Sequence, residues 1–421
     1  MNKNFKKFIL LWSGELISAI GGGLTSFGLG VYIFNKTGSA AGMALVTLLG
    51  FLPTVLLSVP AGVLADRFER RLMMMIGDGC SALGIIFILI NMLRGEATLA
   101  CICIGVFVSS TFSALLEPSF KATITDLLTP EEFSKAGGLV SLAGSARYLF
   151  SPIIAGFLLA ISDVKLLLII DICTFFLTVA SAAVVRRGTP TNALETSESF
   201  ISSIKSGWEA ITAKKGILTL VVVSSFITLF LGMFQILAEP FILSFSDSKT
   251  LGAGETICAT GMLVSSLYLG IRGLKKKYVA TLGLSLMLAG IFMMGFGFRQ
   301  NIVLICAFGF LFFMALPFAN NSLEYLVRVN IPGKSQGRAW GFIGLISQAG
   351  YVVAYAVSGV AADLVGKVTG RGVGTGASIV IEVAGILLII ISLSLLGMKK
   401  LKKLENTKSV SVDNLTAVTE A

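Results

Sequence analysis

Twelve long apolar runs, separated by short stretches of charged, glycine and proline residues, organise this sequence of 421 residues. Each run is close to the roughly 20 apolar residues that a helix needs to cross the hydrocarbon core of a bilayer. The pattern therefore predicts an all-α membrane protein with twelve transmembrane helices in two six-helix bundles. The runs lie near residues 8–34, 41–65, 72–93, 98–121, 135–160, 164–185, 216–245, 253–271, 278–298, 301–327, 336–364 and 374–398.

A polar segment between the sixth and seventh runs divides the chain into two halves. Apolar residues of 198–215 recur at helical spacing, so this part of the segment is expected to be an amphipathic helix on the membrane surface or, as the alternative, a solvated loop. The predicted organisation is an N-terminal six-helix bundle (1–185), a cytoplasmic linker (186–215), a C-terminal six-helix bundle (216–398) and a cytoplasmic tail (399–421).

The composition excludes a water-soluble protein and most soluble-enzyme chemistry. Charged residues make up 13% of the chain, against about 25% in soluble domains. The absence of histidine removes histidine-based proton relays, nucleophile pairs and metal sites. The six cysteines lie in apolar stretches without a CxxC pair, so they are interpreted as packing residues, and no metal or cofactor is expected. No GxxxxGK[ST] motif is present, which leaves an ion gradient as the energy source.

The basic residues indicate the orientation of the chain in the membrane. The net charge is +10, but the lysines and arginines lie mainly in loops on alternate sides of the runs, so no nucleic-acid partner is expected. Placing the N-terminus in the cytoplasm puts most of the 33 lysines and arginines inside, which predicts a plasma- or inner-membrane protein with both termini cytoplasmic. The lysines of 399–403 are expected to attract anionic lipid headgroups.

The two halves also repeat weakly. Gly138 and Gly156 in the fifth run match Gly341 and Gly359 in the eleventh at a constant separation. Duplicated halves of this kind are typical of secondary transporters.

The loop after the second run carries the most specific motif. It reads GVLADRFERR, close to the signature G-x-L-a-D-R-x-x-R-[KR] of the major facilitator superfamily. Its glycine would let two helices approach, and its arginines would bridge to a neighbouring helix. The residues assigned to this loop are Gly62, Asp66, Arg67, Arg70 and Arg71, and Asp78 is expected to pair with it.

Over nearly the whole chain, the stretches LWSGELIS, NKTGSAAGMALV, GFLPTVLLSVPAGVLADRFERR and TPEEFSKAGGLVS resemble the macrolide-efflux (Mef-type) branch of that superfamily. The resemblance implies a two-bundle fold that works as a monomer by alternating access. It also implies a proton-linked exporter of a hydrophobic small molecule. Two positions depart from the wider pattern. Ser109 stands where many proton-linked exporters carry an arginine, and Ser151 replaces the glycine before Pro152 in the antiporter motif, which weakens the case for antiport.

Charged residues inside the runs are the candidates for proton coupling. Arg147 lies near the middle of the fifth run, where an ion costs about 2.5 to 3.5 kcal/mol even on lenient insertion scales. The functional interpretation is that Arg147 faces a central cavity and pairs with Glu15 or Glu117, which would take up and release a proton. The alternative is an arginine bound to backbone carbonyls that holds the bundle together.

Polar residues of the second half would form the opposite wall of this cavity and orient a largely apolar ligand. The alternative is that these helix faces are ordinary helix contacts. The candidates are Gln235 and Glu239 in the seventh run, Asn320 and Glu324 in the tenth, and Gln348, Tyr351 and Tyr355 in the eleventh.

Together these observations predict a transporter that exports a hydrophobic or amphipathic small molecule of the macrolide type, by proton antiport. The alternatives within the same fold are a lysophospholipid transporter and a siderophore transporter. An intramembrane enzyme fits less well because no histidine or GxSG nucleophile is present. A receptor fits less well because the linker and tail are too short for a signalling domain.

Overall fold

The computed structural model describes residues 3–129, 132–186, 209, 212, 215–274, 277–331 and 333–405. These residues form fourteen helices and no strand, and twelve segments are long and apolar enough to cross a membrane. The predicted all-α membrane fold with twelve spans is confirmed. The helices are α1 (Lys3–Thr37), α2 (Ala40–Arg67), α3 (Arg70–Arg94), α4 (Leu99–Ser113), α5 (Leu116–Leu127), α6 (Phe133–Ile161), α7 (Val164–Arg186), α8 (Lys215–Leu243), α9 (Ser248–Arg272), α10 (Tyr278–Gly297), α11 (Ile302–Asn330), α12 (Gly333–Thr369), α13 (Gly372–Gly397) and α14 (Lys399–Glu405).

The fourth predicted span is one crossing made of two helices. α4 ends at Ser113 and α5 begins at Leu116, so the expected single helix is interrupted. Pro118 explains the break, because a continuous helix would bring its ring against the carbonyl of Ala114, four residues earlier. In α5 the proline instead occupies the first turn, where no N–H is needed.

The described residues pack as two compact units. The first contains those of 1–196, 239–256 and 359–374, and the second contains the remainder. The first unit therefore includes α1 to α7, the turn between α8 and α9, and the turn between α12 and α13. The proposed amphipathic helix at 198–215, most of the linker and the tail beyond residue 405 lie outside the described residues.

Small residues set the close helix contacts of the first unit. α1 packs against α6 and α7, and α3 packs against α4 and α7. Gly14, Gly21 and Gly28, spaced by seven, form the face of α1 that meets α7. A Cβ atom at Gly14 would lie 2.7 Å from the Ser181 hydroxyl oxygen, and one at Gly28 would lie 2.6 Å from a methyl carbon of Leu167. Close backbone approach through small residues is the usual way in which membrane helices associate.

The repeated glycines have matching structural roles within this unit. A Cβ at Gly156 in α6 would lie 2.7 Å from the carbonyl oxygen of Ser248, at the start of α9. A Cβ at Gly359 in α12 would lie 2.5 Å from the carbonyl oxygen of Ala40, at the start of α2. Each glycine therefore admits the first turn of another helix.

The second unit contains an aromatic core and a short terminal helix. Phe234 of α8 stacks on Phe312 of α11 with ring centroids 4.3 Å apart, and it meets Phe296 of α10 edge-on at 4.5 Å. α14 buries Leu401 and Leu404. Its last residue, Glu405, accepts a hydrogen bond of 2.6 Å from the backbone N–H of Tyr278 and so fixes α14 at the start of α10.

Candidate functional site

Three carboxyl groups lie within the helices of the first unit, near enough for the charges of Glu15 on α1 and Asp171 on α7 to act on Asp78 of α3. We call these three residues the carboxyl cluster. Asp78 is 0% exposed, Asp171 is 1% exposed and Glu15 is partly buried.

The local sequence explains how the cluster forms. The glycine face of α1 brings that helix against α7, so a Cβ at Gly21 would lie 2.9 Å from Oδ1 of Asp171. The Thr174 hydroxyl donates to Oδ1 of Asp171 at 3.4 Å. The sequence places Asp171 inside the sixth apolar run but assigns it no contact, although the seven-residue glycine spacing on α1 was a usable signal for one.

The expected pairing of Asp78 with the signature loop is wrong. Within the described part of the chain, neither carboxylate oxygen of Asp78 has a hydrogen-bond partner. Asp78 lies eight residues beyond Arg70, about 12 Å along α3, and is beside Thr178 of α7 instead of the loop.

The arginines of the signature loop bridge to a neighbouring helix, as predicted. Arg70 forms a 2.5 Å ion pair with Asp126 of α5 and donates to the carbonyl of Ala122 at 2.9 Å. Arg71 lies 3.9 Å from the other oxygen of Asp126. Glu69 pairs with Arg186 at the end of α7 at 2.7 Å. The sequence did not identify these acidic partners.

The other loop residues contribute less to this bridge. Among the described residues, no atom outside its own helix lies within 4 Å of a Cβ built on Gly62, so this glycine is not needed for a close contact there. The side chains of Asp66 and Arg67, at the end of α2, lie outside the described residues.

Arg147 acts on the carboxyl cluster without forming an ion pair in it. Its charge interacts with Glu15 and Asp171, and its Cγ would lie 3.2 Å from a Cβ at Gly23. Of the two expected partners of Arg147, Glu15 is the one on which its charge acts, whereas the Glu117 side chain is 76% exposed and pairs with Lys121 on its own helix at 2.6 Å.

Glu15 is partly buried on α1, and its Oε2 lies below the surface without a hydrogen-bond partner among the described residues. On the same side of the helix Ser18 is buried, Ser26 is exposed, and a Cβ at Gly22 would meet none of the described atoms outside its own helix within 4 Å. This side of α1 is therefore only partly open, while the glycine face packs on α7.

The second-half candidates fall into three groups. In the second unit, Tyr355 donates to the Gln235 side chain at 3.3 Å, and the rings of Tyr355 and Tyr351 are 5.8 Å apart. Glu239 lies in the first unit, where its Oε2 would be 2.6 Å from a Cβ at Gly30. The remaining candidates are exposed side chains on α11 and α12: Asn320, Glu324 and Gln348.

Glu239 interacts with a second carboxyl group that the sequence reasoning missed. Glu255 of α9 acts on Glu239, and both residues belong to the first unit. Glu255 was detectable, because it is an acidic residue at the start of the eighth apolar run.

A cavity of about 290 Å³ opens where α1, α3 and α6 end. Tyr32, Asn35 and Glu96 contribute to its wall, and Glu96 forms a 2.9 Å ion pair with Lys36. The hydrogen bond and charge of Lys36 lower the pKa of the Glu96 carboxyl below its usual value.

Comparisons with known proteins agree with this architecture. The family model of the Major Facilitator Superfamily matches residues 11–355. The chain is 27% identical to macrolide efflux protein A of Streptococcus pyogenes over 376 residues, covering 86% of this chain and 90% of that protein. It is 31% identical to the enterobactin exporter EntS of Shigella flexneri over 163 residues, covering 38% of this chain and 40% of that protein.

Among solved structures, the chain resembles a bacterial homologue of the human lysosomal transporter Spinster in an inward-facing, unoccupied conformation. The TM-score is 0.74 at 13% identity, with 96% of this chain and 99% of that one covered. At this identity the likeness concerns the fold.

Proposed function

Because the chain belongs to the major facilitator superfamily, and is therefore a multi-pass membrane transporter and not an enzyme, we propose that it exports a hydrophobic or amphipathic small molecule in exchange for protons. The observation that carries this proposal is the position of Glu15. It is a partly buried carboxyl group inside a membrane helix, one of its oxygens has no hydrogen-bond partner among the described residues, and the charge of Arg147 acts on it.

The coupling follows from electrostatics in a medium of low polarity. An ionised carboxylate is costly at membrane depth unless a positive charge is close. Arg147 lies on α6 and Glu15 on α1, so a relative movement of these helices changes how strongly the arginine stabilises the carboxylate. Glu15 then binds a proton when Arg147 is distant and releases it when Arg147 is near. This exchange would link proton movement to alternating access.

The macrolide-type cargo is supported by the relative from Streptococcus pyogenes, which is named a macrolide efflux protein. Tyr351, Tyr355 and Gln235 supply aromatic surface and polar groups of the kind that orient a largely apolar ligand. The partial match to the enterobactin exporter favours a siderophore as the second candidate cargo.

The proposed arrangement in the membrane follows from the distribution of basic residues. We infer a monomer in the plasma or inner membrane, with both termini in the cytoplasm and six-helix bundles at 1–185 and 216–398. α14 would lie against the inner leaflet, where its lysines attract anionic headgroups.

Drug accumulation in cells tests this proposal. Cells expressing the protein are loaded with radiolabelled erythromycin or ethidium, with and without a proton uncoupler, beside Glu15→Gln and Arg147→Ala. Glu382→Gln serves as the matched control, because Glu382 is a membrane carboxyl that lies against Gly297 in the second unit.

We expect lower accumulation in expressing cells, restored by the uncoupler and by both first-unit variants, with Glu382→Gln behaving as wild type. Unchanged accumulation of both compounds would reject a drug cargo. An effect that survives the uncoupler would reject proton coupling.

A further inference from the structure

The short helix α14 has an apolar face and a basic face. Leu401 is 0% exposed and Leu404 is 7% exposed, so both leucines are buried against the protein. The basic face consists of four exposed lysines: Lys399, Lys400, Lys402 and Lys403. Only one residue separates α14 from the last membrane span, because α13 ends at Gly397. The basic face therefore lies where the headgroup region of a bilayer begins.

The apolar face of α14 is docked on two other helices of the second unit. A Cβ at Gly216, near the start of α8, would lie 2.5 Å from a methyl carbon of Leu404. The side-chain amide of Asn330, at the end of α11, donates to the carbonyl of Leu404 at 3.1 Å and to that of Leu326 at 2.8 Å. Asn330 is buried, so water competes little for these bonds. α14 therefore connects the start of α8 to the end of α11.

Glu405, the last residue of α14, caps α10 from a distant part of the sequence. The N-cap residue of α10 is Lys277, whose ammonium group cannot accept a hydrogen bond. The Glu405 carboxylate accepts the backbone N–H of Tyr278 at 2.6 Å, and a negative charge is favourable at a helix N-terminus. The ring of Tyr278 stacks on that of Tyr325 in α11, with centroids 3.6 Å apart. The docked α14 thus holds the ends of α8, α10 and α11 together.

The sequence of α14 does not favour a helix by itself. The helix has seven residues, whereas isolated helices shorter than about 12 to 15 residues are marginal in water. Lys399 and Lys403 are four residues apart, so their like charges repel on the same side of the helix. Lys399 and Lys400 also place positive charge at the positive end of the helix dipole. Negative charge beside the basic face would offset both effects.

We propose that the basic face of α14 binds the anionic lipid headgroups of the surrounding membrane, and that this contact keeps α14 docked. The inference rests on the proposed arrangement in the membrane and adds a consequence, which is that lipid charge controls how firmly α8, α10 and α11 are held together. An amphipathic helix that inserts into lipid would turn its leucines to the bilayer, whereas those of α14 are buried in the protein. The contact with lipid is therefore electrostatic.

Hydrogen exchange of backbone amides measures the docking of α14. The full-length protein is placed in nanodiscs of phosphatidylcholine alone or with an equal share of phosphatidylglycerol, and exchange is followed at α14 and at the start of α10. The test variant replaces all four lysines of the basic face by glutamine. The matched control is Lys121→Gln with Lys135→Gln, which removes exposed positive charge from the first unit. Inorganic phosphate added to the neutral nanodiscs tests a soluble anion as the ligand.

We expect phosphatidylglycerol to slow exchange at α14 and at Tyr278 by about tenfold in wild type and in the control, but not in the glutamine variant. In neutral nanodiscs the glutamine variant should exchange no faster than wild type, because it lacks the repulsion between lysines. Equal slowing in wild type and the glutamine variant would overturn the proposal. So would faster exchange of that variant in both lipids, which marks a structural role for the lysines. Equal slowing by inorganic phosphate would reject the lipid as the ligand.

A second variant, Leu404→Ala, tests whether docking fixes the neighbouring helix ends. It should speed exchange at Tyr278 in both lipids, because the contact beside Gly216 is lost. Unchanged exchange at the start of α10 would overturn the link between α14 and α10. These measurements need neither a cargo nor a proton gradient, so failure of the proposed export leaves their outcome intact. Proton-coupled export of erythromycin together with lipid-independent exchange at α14 would reject this inference alone.

Discussion

The carboxylate of Asp363, on α12, accepts a 2.5 Å hydrogen bond from the hydroxyl of Ser39, at the start of α2. The same carboxylate accepts the backbone N–H groups of Ala40 at 2.9 Å and Ala41 at 3.2 Å. A residue of the second half of the chain thus caps the N-terminus of a helix in the first half. Both segments belong to the first unit. In an alternating-access cycle such a contact stabilises one state and has to break before the other forms.

We expect Asp363→Asn to weaken this state by about 1 to 2 kcal/mol, because the amide replaces a charged cap at a helix N-terminus. The measurement is maleimide labelling of Ala44→Cys in a chain whose native cysteines are serines. Ala44 is buried, and its Cβ would lie 2.7 Å from a Cβ at Gly359, so labelling reports separation of α2 from α12.

The matched control is Asp247→Asn. Asp247 also caps a helix, α9, but it does so locally through Thr250 at 2.8 Å. Faster labelling of the Asp363→Asn variant, but not of Asp247→Asn, supports the conclusion that Asp363 holds α2 against α12. Equal labelling rates in all three chains would show that Asp363 does not hold these helices together.

Alanine substitutions at two glycines of α9 distinguish the effect of close helix packing on stability from the effect of helix propensity. A Cβ at Gly252 would collide with the carbonyl oxygen of Pro152 in α6, whereas a Cβ at Gly270 would meet none of the described atoms outside its own helix within 4 Å. Gly252→Ala should destabilise the protein by about 1 to 3 kcal/mol through this clash. Gly270→Ala should be neutral or slightly stabilising.

Thermal unfolding in detergent compares the two alanine variants directly. The expected result is a lower unfolding temperature for Gly252→Ala only. Equal unfolding temperatures would mean that α6 and α9 do not approach as closely as described.

The pair between Arg70 and Asp126 should contribute about 1 kcal/mol to stability. The Arg70 side chain is 10% exposed and the Asp126 side chain 30%, so solvent screens the interaction only in part. Unfolding in denaturant is measured for Arg70→Ala, Asp126→Ala and the double variant. The losses of stability in the two single variants should add up to more than the loss in the double variant, because each single variant removes the same contact. Strictly additive losses would contradict an interaction between these residues.

Sequence periodicity could predict the spans and the signature loop because both depend on local composition. Twelve apolar runs of sufficient length specify twelve crossings, and the arginines of the loop bridge to a neighbouring helix as expected. The break before Pro118 was also readable in principle, because a proline imposes its constraint on the carbonyl four residues earlier.

The contacts between helices could not be predicted in the same way. Asp78 was expected to join the basic loop, but it lies beside Thr178 of α7, which is distant in sequence. The interactions of Asp126 with Arg70 and of Glu255 with Glu239 also arise from helix packing, which the pattern of a single sequence does not specify. Hydrophobic periodicity gives the length of a membrane helix more reliably than the face that meets each neighbour.

The most direct test of the central claim, proton-coupled export through Glu15, is a simultaneous measurement of both fluxes in proteoliposomes. Radiolabelled erythromycin reports the cargo, and a trapped pH-sensitive dye reports protons. In wild type, each transported drug molecule should be accompanied by proton movement in the opposite direction. Glu15→Gln should abolish the drug-dependent proton movement while leaving counterflow of the drug. Drug transport in wild type without any proton movement would contradict the account.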